Sequence, residues 1–532
     1  MKKQKKIVRF FLIFGLFVLN TNIFSQNPNF YIYLCFGQSN MEGQGTIQTQ
    51  DYSVDSRFQT FQALDCPNLS RVKETWYTAD PPTCQCYSRL SPADYFGRTM
   101  VANLPDSITI GIINVSVGGC DIRLFDKDIY QDYDSTFTES WFIEKLEAYN
   151  WNPYQYLIDL ALLAKQDGVI KGILLHQGET NTGDVMWPSY VKKIYIDILT
   201  DLSLYADSVP LLAGEVLSAP GNCCASMNTI INRLPDTIPT AYVISSNGCT
   251  GQEDGAHFDS KGYRKLGRRY GVQMLTLMGY EAAYTEPECG TVGENWKIKA
   301  DLFASNGGYV TGVPGIENIS QAPTDDASII QMDFTLSKDT TYYVYGRFNN
   351  PSADSNSYWI KIDNDDFELF DDLTTSGWQW IELKSYELTA GEHTISVAIA
   401  EEGASLDKLV IKNSEISPVD VGEEAGNLCE PEFTPSDIKI THSNKKYSLE
   451  QNYPNPFVGN SSISFELPDN TYVSLKVFNM LGVEIAELAA KEYSSGRHTV
   501  KFNSEKFSAG NYWYTLKTDK FYATRKMTIL EE

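Results

Sequence analysis

The chain of 532 residues has few histidines and a marked deficit of basic side chains. Lys and Arg number 43 against 68 Asp and Glu, so the net charge is −25. A surface of this sign repels the phosphates of nucleic acids and anionic membranes, which excludes an electrostatic role on either. A neutral polymer or a solvated glycan suits it better. With five histidines in all, histidine-dependent chemistry can be assigned to very few positions.

Long hydrophobic runs are absent after the N-terminal segment. Residues 1–26 carry basic side chains, then a short apolar core at 10–19, then small and polar residues. This order is typical of a secretory signal peptide, and we expect cleavage near Ser25. The apolar core is too short to span a bilayer, and no later run is long enough. We therefore predict a signal peptide over 1–25, export through the periplasm and no transmembrane segment.

The ten cysteines suit an exported chain, because oxidising compartments favour disulfides. Two loop-like regions hold the candidates: Cys66, Cys84, Cys86, Cys223, Cys224 and Cys249. The pair Cys84-x-Cys86 would also suit a metal, but no histidine cluster accompanies it, so disulfides are preferred and no metal is predicted. Cys35 lies in an apolar run and is interpreted as a buried thiol. The connectivity cannot be read from the sequence.

Residues 30–45 predict a strand that ends in a polar turn carrying Ser39. The nearly continuous apolar run 31–36 suits a strand covered on both faces, as in a parallel sheet, where ligands bind beyond the carboxyl ends of strands. Gly37 allows a sharp turn, and Met41 stands where a Gly-x-Ser-x-Gly elbow would have its second glycine. Hydrogen-bonding side chains surround the serine: Gln38, Asn40 and Glu42. A serine in a polar turn is unremarkable alone, so the other groups must decide.

A serine nucleophile needs a base, usually a histidine that a carboxylate orients. Only His176 and His257 lie in the same half of the chain as Ser39. Asp254 precedes His257 by three residues on a short predicted loop, so its carboxylate can reach Nδ1 and leave Nε2 for the serine. The alternative is an Asp-Gly turn with an exposed histidine before the helix predicted to end near Leu277.

Two further predicted strand ends carry groups that could stabilise an oxyanion. The paired glycines Gly118 and Gly119 follow the strand at 108–115 and expose backbone N–H groups. Gln177 follows a strand that ends at His176 and offers a side-chain amide. Glu179 is interpreted as a hydrogen-bonding brace, with a purely structural role as the alternative. A nucleophile, a base and oxyanion donors thus converge on one edge of a sheet.

Helical periodicity at 154–165 and 189–204 alternates with short strands at 209–214 and 241–246. Strands alternating with helices predict a three-layer α/β/α sandwich around a parallel sheet. The long segment 44–92 could wall a substrate cleft. Its aromatics either stack on sugar rings or pack the loop itself: Trp76, Tyr77 and Tyr87.

Four blocks, in this order, resemble those of the SGNH (GDSL-like) hydrolase superfamily: Gly37-Gln38-Ser39-Asn40-Met41, Gly118-Gly119, His176-Gln177-Gly178-Glu179 and Asp254-x-x-His257. The branch resembled is that of sialate O-acetylesterases and family-six carbohydrate esterases, which include acetylxylan esterases. The resemblance covers roughly residues 28–280.

The resemblance implies a secreted serine esterase that removes O-acetyl groups from carbohydrate, similar to an acetylxylan esterase, with no cofactor. Ser39 would be the nucleophile, His257 the base and Asp254 its orienting carboxylate. The oxyanion hole would use the Ser39 N–H, an N–H at Gly118 or Gly119, and the Gln177 side chain, with support from Gln38, Asn40 and Glu179. A sialate O-acetylesterase is the alternative substrate assignment. A catalytically inactive surface glycan-binding protein is the alternative from another class.

The remainder of the chain predicts two β-sandwich domains. We assign 26–284 to the esterase domain, 285–295 to a linker, 296–414 to a sandwich that resembles carbohydrate-binding modules, and 415–446 to a second linker. In the first sandwich, Trp378 and Trp380 either belong to the core or form a glycan platform. The acidic run 363–366 is read as a solvated turn, with calcium binding as the alternative.

The last predicted domain, 447–532, resembles the C-terminal sorting domain of the type IX secretion system. The resemblance is carried by its opening, Tyr447 to Phe457 with Tyr453-Pro454-Asn455-Pro456, by the strand pattern from Val473, and by the terminal run from Arg525. Bacteria of the Bacteroidetes group use this route. It implies a partner in the secretion machinery and a mature chain that is secreted or attached to the cell surface.

Overall fold

The structure is a computed structural model, and it describes residues 26–134, 139–218, 221–301, 303–429, 447–478, 484–504, 506–518 and 521–530. The described residues divide into two compact units, one within 26–297 and 309–429, the other within 298–308 and 447–530. The predicted signal peptide lies outside the described residues. Across the described ranges, no helix has both the length and the apolar character needed to cross a membrane.

A seven-stranded, mostly parallel sheet forms the centre of the first unit. Its strands are β1 Phe30–Gly37, β2 Phe58–Phe61, β3 Trp76–Thr78, β4 Thr109–Ser116, β5 Val169–His176, β6 Leu211–Gly214 and β7 Ala241–Ile244. They lie in the order β3-β2-β4-β1-β5-β6-β7, and β3 alone runs antiparallel to its neighbour. The predicted parallel sheet is confirmed.

Helices cover both faces of this sheet. They are α1 Ser39–Glu42, α2 Pro92–Asn103, α3 Gln131–Asp134, α4 Ser140–Ala148, α5 Pro153–Ala164, α6 Trp187–Asp201, α7 Asn228–Ile231, α8 Leu234–Thr237 and α9 Ser260–Leu277. Because side chains of a strand alternate between faces, Leu34 and Phe36 of β1 pack into a core with α4, α5 and α6. Tyr33 and Cys35 pack into the opposite core with α2 and α9. The three-layer α/β/α arrangement is therefore confirmed.

The central position of β1 determines where the polar strand ends meet. Gly37, the last residue of β1, is in register with Ser116 of β4 on one side and with His176 of β5 on the other. A side chain at Gly37 would be only 2.1 Å from the His176 carbonyl oxygen, and its φ is +149°. Glycine is thus required where the chain leaves the sheet and enters α1.

The rest of the first unit is a β-sandwich of antiparallel sheets. Its strands are β8 Ala282–Thr285, β9 Thr291–Val292, β10 Trp296–Ala300, β11 Gly308–Gly312, β12 Ile329–Leu336, β13 Thr340–Phe348, β14 Tyr358–Ile362, β15 Glu368–Phe370, β16 Gln379–Leu388, β17 Gly391–Ile399 and β18 Ser405–Lys412. Residues 298–300 of β10 and Gly308 of β11 fall in the residue range of the second unit. One sheet contains β11, β18, β13 and β16, and β8 pairs with β18. The other has the order β15-β14-β17-β12-β9. Buried residues alternate with exposed ones along β12, as expected for a strand with one covered face.

Two segments predicted as linkers are ordered parts of this sandwich. Within 285–295, β9 pairs with β12, and β8, which the prediction placed mostly in the esterase domain, pairs with β18. Residues 415–429, the first part of the second predicted linker, return to α9, where Glu424 pairs with Lys265 and Arg269. The polar composition that suggested linkers reflects surface turns and ion pairs. Residues 430–446 lie outside the described residues.

The second unit contains strands β19 Ser448–Leu449, β20 Asn460–Leu467, β21 Thr471–Phe478, β22 Glu484–Tyr493, β23 Gly496–Asn503, β24 Gly510–Lys517 and β25 Tyr522–Ile529. They form a three-stranded sheet, β19-β20-β23, and a four-stranded sheet, β22-β21-β24-β25. A shared apolar core includes Phe465, Leu475, Leu516 and Met527. This arrangement fits the predicted β-sandwich.

Three disulfides are present, Cys66–Cys86, Cys223–Cys224 and Cys289–Cys429. The expectation of disulfides in both loop regions is confirmed, but their membership was partly wrong. Cys84 and Cys249 are buried free thiols because each packs into the core away from a partner, and Cys35 is a buried thiol as expected. Cys223 and Cys224, adjacent in sequence, bond to each other.

Candidate active site

Ser39, His257 and Asp254 lie in one hydrogen-bonded chain at the carboxyl edge of the sheet. Ser39 is the first residue of α1, directly beyond β1. His257 Nε2 is 2.8 Å from Ser39 Oγ, and His257 Nδ1 is 2.7 Å from Asp254 Oδ2. The loop before α9 thus brings together residues that are 218 positions apart in sequence. This is the geometry a serine needs to lose its proton to a histidine.

The carboxylate of Asp254 is held in its charged form. Burial alone would raise the pKa of Asp254, but hydrogen bonds outweigh it and lower the pKa to about 2. The donors are the backbone N–H groups of His257 and Ala256, both 3.0 Å from Oδ1, and the His257 ring. A fixed anion at Nδ1 keeps Nε2 as the atom that faces the serine.

Asn40 connects the nucleophile helix to the catalytic loop. Its side chain is fully buried, and Nδ2 donates to Glu179 Oε1 and to the Ala256 carbonyl, 3.0 Å away. Its Oδ1 accepts from the Tyr263 hydroxyl and, at 3.4 Å, from the Phe258 N–H. All of these groups are close to His257 in sequence or space. Asn40 and Glu179 therefore stand where the sequence placed supporting residues.

His176, the other histidine of this half, is turned away from the serine. Its Nε2 lies 3.0 Å from the Glu215 carbonyl oxygen, and the ring is fully buried. Burial lowers the pKa of His176, which keeps it neutral. It is a structural residue at the end of β5.

The N–H of Gly118, one of the expected oxyanion donors, is already engaged. It donates to Glu42 Oε2 at 2.6 Å, and the same carboxylate accepts from Lys145 Nζ. The N–H groups of Ser39 and Gly119 have no acceptor in the described part of the chain. Gly119 has φ +81°, which turns its backbone away from the path of β4. Of the two glycines, Gly119 is the one with a free donor.

The Gln177 side chain, expected to be an oxyanion donor, is committed to a buried network. Its Nε2 donates to Gln38 Oε1, Asn181 Oδ1 and the Cys120 carbonyl at 3.1, 2.6 and 3.2 Å, and its Oε1 accepts from Trp187 Nε1. Both amide protons therefore already have acceptors, so the expected role of Gln177 as an oxyanion donor stays a prediction that this network does not favour. The sequence could not show this, because Trp187 and Asn181 lie beyond the motif.

The Gln38 side chain, in contrast to that of Gln177, is bonded through its oxygen and keeps its amide N–H groups without an acceptor in the part of the chain that the structure describes. Its Oε1 faces the backbone N–H groups of Gly178 and Thr180, each 3.3 Å away, so this atom must be the oxygen. No acceptor for Gln38 Nε2 lies among the described residues. Gln38, expected only to support the site, thus carries a fixed and available N–H donor next to Ser39.

Sequence reasoning missed two residues near the nucleophile, Trp141 and Lys145 of α4. A methyl group at Gly119 would come within 2.9 Å of Trp141 Cη2, and one at Gly118 within 2.9 Å of Lys145 Nζ. No motif surrounds them in the sequence. Only their spacing of four residues, which places them on one helix face, could have suggested a joint role.

Trp378 and Trp380, the candidate glycan platform, are half-buried against side chains of the sandwich. Trp378 packs edge to face on Tyr309, and Trp380 packs similarly on Tyr284 while its Nε1 donates to the Asp420 carbonyl. These contacts favour the core interpretation, and glycan binding by this domain stays a prediction. In the acidic run 363–366, Asp363 binds His393 Nδ1 at 2.7 Å.

The described residues contain one acidic cluster with the spacing of a metal site, Asp126, Asp128 and Asp197. Lys193 Nζ contacts all three carboxylates, at 2.7, 2.7 and 2.9 Å. An ammonium group thus occupies the position that a cation would take. This cluster is best described as an ion-pair network.

Comparison with known proteins identifies the domains. Residues 29–276 match the family model described as a carbohydrate esterase, sialic acid-specific acetylesterase. This part of the chain is thus a carbohydrate esterase domain of that family, as the sequence blocks indicated. Residues 451–530 match a secretion system C-terminal sorting domain. The protein is therefore a carbohydrate O-acetylesterase with a type IX sorting tail, and it is secreted or attached to the cell surface.

Solved structures give weaker likenesses. A protein from Arabidopsis thaliana is 17% identical with a TM-score of 0.36, over 47% of this chain and 99% of its own. A carbohydrate acetylesterase from Xanthomonas citri is 14% identical with a TM-score of 0.34, over 73% of this chain and 79% of its own. A family 35 carbohydrate-binding module from Clostridium thermocellum is 18% identical with a TM-score of 0.19, over 24% of this chain and 96% of its own.

Proposed function

We propose that the esterase domain works through a Ser39 acyl-enzyme, with His257 as base and then acid and Asp254 as its orienting carboxylate. The observation that carries this proposal is the continuous chain from Ser39 Oγ through both His257 nitrogens to Asp254. Ser39 Oγ attacks the acetyl carbonyl carbon while its proton passes to His257 Nε2. The sugar oxygen then takes that proton as its bond to the acetyl carbon breaks.

Deacylation repeats these steps with water. Water attacks the acetyl carbon of acetyl-Ser39 as His257 takes its proton, and the proton returns to Ser39 Oγ when acetate leaves. The pKa of Asp254, near 2, keeps a negative charge beside the ring whenever it becomes imidazolium at neutral pH. This charge stabilises both transition states electrostatically.

The oxyanion of the tetrahedral intermediate would be held by three N–H donors, those of Ser39, Gly119 and Gln38 Nε2. Support for this set comes from the lack of acceptors for these donors among the described residues and from the place of Gln38 directly before Ser39. Gln177 and Gly118 are then supporting residues. Gln177 fixes Gln38 through the 3.1 Å bond to its Oε1, and Gly118 fixes Glu42.

We propose acetylated neutral polysaccharide, as for an acetylxylan esterase, as the substrate. The net charge of −25 supports a neutral partner. The description of the matching family favours O-acetylated sialic acid as the second candidate. For delivery, we propose that residues 1–25 act as a signal peptide for periplasmic export and that the sorting tail then directs the chain to the type IX machinery.

The test is acetate release by the mature protein from acetylated xylan and from acetylated sialic acid. Ser39→Ala should abolish acetate release. Ser208→Ala should not change it, because Ser208 is exposed and lies before β6, at the amino ends of the strands and away from Ser39. Whichever substrate is turned over assigns the substrate class. Retained glycan binding with no release by the wild type would instead support a non-catalytic glycan-binding protein.

A further inference from the structure

Trp141 is a large aromatic side chain left in contact with solvent beside the nucleophile. It is 50% exposed, although its neighbour Phe142 is fully buried and anchors α4 to the core. The two rings pack edge to face at 5.6 Å. The indole is therefore carried by a helix that Phe142 anchors to the core, while half of the Trp141 side chain stays exposed.

Two adjacent glycines, Gly118 and Gly119, lie between the catalytic serine and the indole. A methyl group at Gly119 would be 2.9 Å from Trp141 Cη2, and a methyl group at Gly118 would be 3.5 Å from Ser39 Cβ. A side chain at Gly119, the residue whose N–H we assign to the oxyanion hole, would collide with the ring, so glycine at this position leaves room for the indole. An acetyl group seated at Ser39 would thus place the sugar that carries it near the indole.

The surroundings of the indole suit an uncharged ring better than an anion. Lys145, one helical turn after Trp141, has its Nζ 6.0 Å from the indole centroid. That ammonium is already neutralised by both oxygens of Glu42, which is almost completely buried. No unpaired charge from this pair is available to bind a sugar carboxylate.

We propose that Trp141 forms the sugar subsite of the esterase, with the C–H face of an uncharged pyranose stacked on the indole. Aromatic rings offer a large rigid apolar surface, and the polar edge of the sugar stays solvated. This inference rests on the proposed function, because it needs the acetyl ester at Ser39. It makes Trp141 a substrate-binding residue that selects neutral acetylated glycans over small esters.

The experiment compares kcat/KM on acetylated xylotriose with kcat/KM on 4-nitrophenyl acetate, which has no sugar. For Trp141→Ala, the ratio of the two values should fall about 10-fold, mostly through KM for the oligosaccharide. Trp141→Phe should restore part of the ratio. Tyr205→Ala is the matched control, since Tyr205 is 80% exposed but precedes β6 at the opposite edge of the sheet. It should leave the ratio unchanged.

A second measurement uses binding without turnover. Calorimetric titration of acetylated xylotriose into Ser39→Ala should show binding that Ser39→Ala/Trp141→Ala loses by a similar factor. An unchanged ratio, or a parallel loss on both esters together with a lower melting temperature, would overturn the subsite while leaving the esterase intact. A wild type that hydrolyses neither ester would instead refute the proposed function, so the two failures are distinguishable.

Discussion

Replacement of Asn40 by alanine tests whether the catalytic loop is positioned from the nucleophile helix. The side chain of Asn40 is fully buried and joins Glu179, Ala256, Phe258 and Tyr263. Alanine removes the amide and leaves those four groups without their partner. Because Ala256 and Phe258 flank His257, we expect the base to lose its fixed place opposite Ser39.

The size of the effect follows from the groups left unpaired. An unsatisfied buried donor or acceptor costs about 1–3 kcal/mol. The Tyr263 hydroxyl and the Glu179 carboxylate are both well buried, so the free energy of unfolding should fall by about 2–6 kcal/mol. A displacement of the base on the order of 1 Å lowers the rate by up to about 100-fold. We therefore expect kcat on 4-nitrophenyl acetate to fall by about 10- to 100-fold.

The assay pairs urea unfolding with kcat measured under conditions where the variant is folded. Asn350→Ala in the β-sandwich is the matched control, because Asn350 is also fully buried and accepts from a tyrosine hydroxyl, that of Tyr358. Its Nδ2 donates to a carbonyl, as that of Asn40 does. The control should lose similar stability and keep its kcat. If Asn40→Ala also kept its kcat, the positioning argument would be wrong.

Three further predictions concern charge and crosslinks. The pKa of Asp254 is lowered from 3.8 to about 2 in the folded protein, so its contribution to stability is present above pH 3.8 and is lost as the pH falls through about 2. In acid unfolding between about pH 4 and pH 2, Asp254→Asn should therefore lose less stability than the wild type. Glu42→Gln leaves the Lys145 ammonium without its anion, so the free energy of unfolding should fall by about 1–3 kcal/mol, and an unchanged urea midpoint would contradict this. Replacing Cys289 and Cys429 by serine opens a loop of 140 residues, and calorimetry should show a loss of about 2–5 kcal/mol in the free energy of unfolding; an unchanged melting temperature would contradict this.

The parallel sheet and the grouping of Ser39, Asp254 and His257 were accessible from the sequence for physical reasons. Apolar runs that end in Gly and polar residues predict buried strands whose carboxyl ends share an edge. Asp254 and His257 are three residues apart, which is short enough for one loop to hold both side chains in contact. The distance of 2.7 Å between Asp254 Oδ2 and His257 Nδ1 agrees with that.

The oxyanion donors were not accessible in the same way. Whether an amide is free depends on where all its hydrogen-bond partners lie, and those of Gln177 come from Cys120, Asn181 and Trp187 on other segments. The motif shows which residue types are present. Whether an amide N–H is free to bind an oxyanion depends on the hydrogen-bond partners that the fold brings to it. For the same reason, nothing local to Trp141 distinguishes a solvent-facing indole from a buried one.

The pairing of segments across the predicted domain boundary was hidden from the sequence for a related reason. Composition marks a polar stretch as a connection, but backbone pairing with a distant strand is invisible to it. The pairing of Leu409 and Thr285 joins segments more than 120 residues apart, and local sequence carries no trace of that.

The first strand of the sandwich, β8, begins five residues after α9 ends. It pairs with β18, the last strand of the sandwich in sequence. The sandwich and the esterase domain therefore share contacts at both ends of the sandwich, and the sandwich cannot be replaced as an independent domain. A truncation at residue 284, the predicted domain end, would leave β8 without its partner strand β18 and would remove the returning segment whose Glu424 pairs with Lys265 and Arg269 of α9. Any engineered transfer of this catalytic domain to another carrier should move residues 26–429 as one piece.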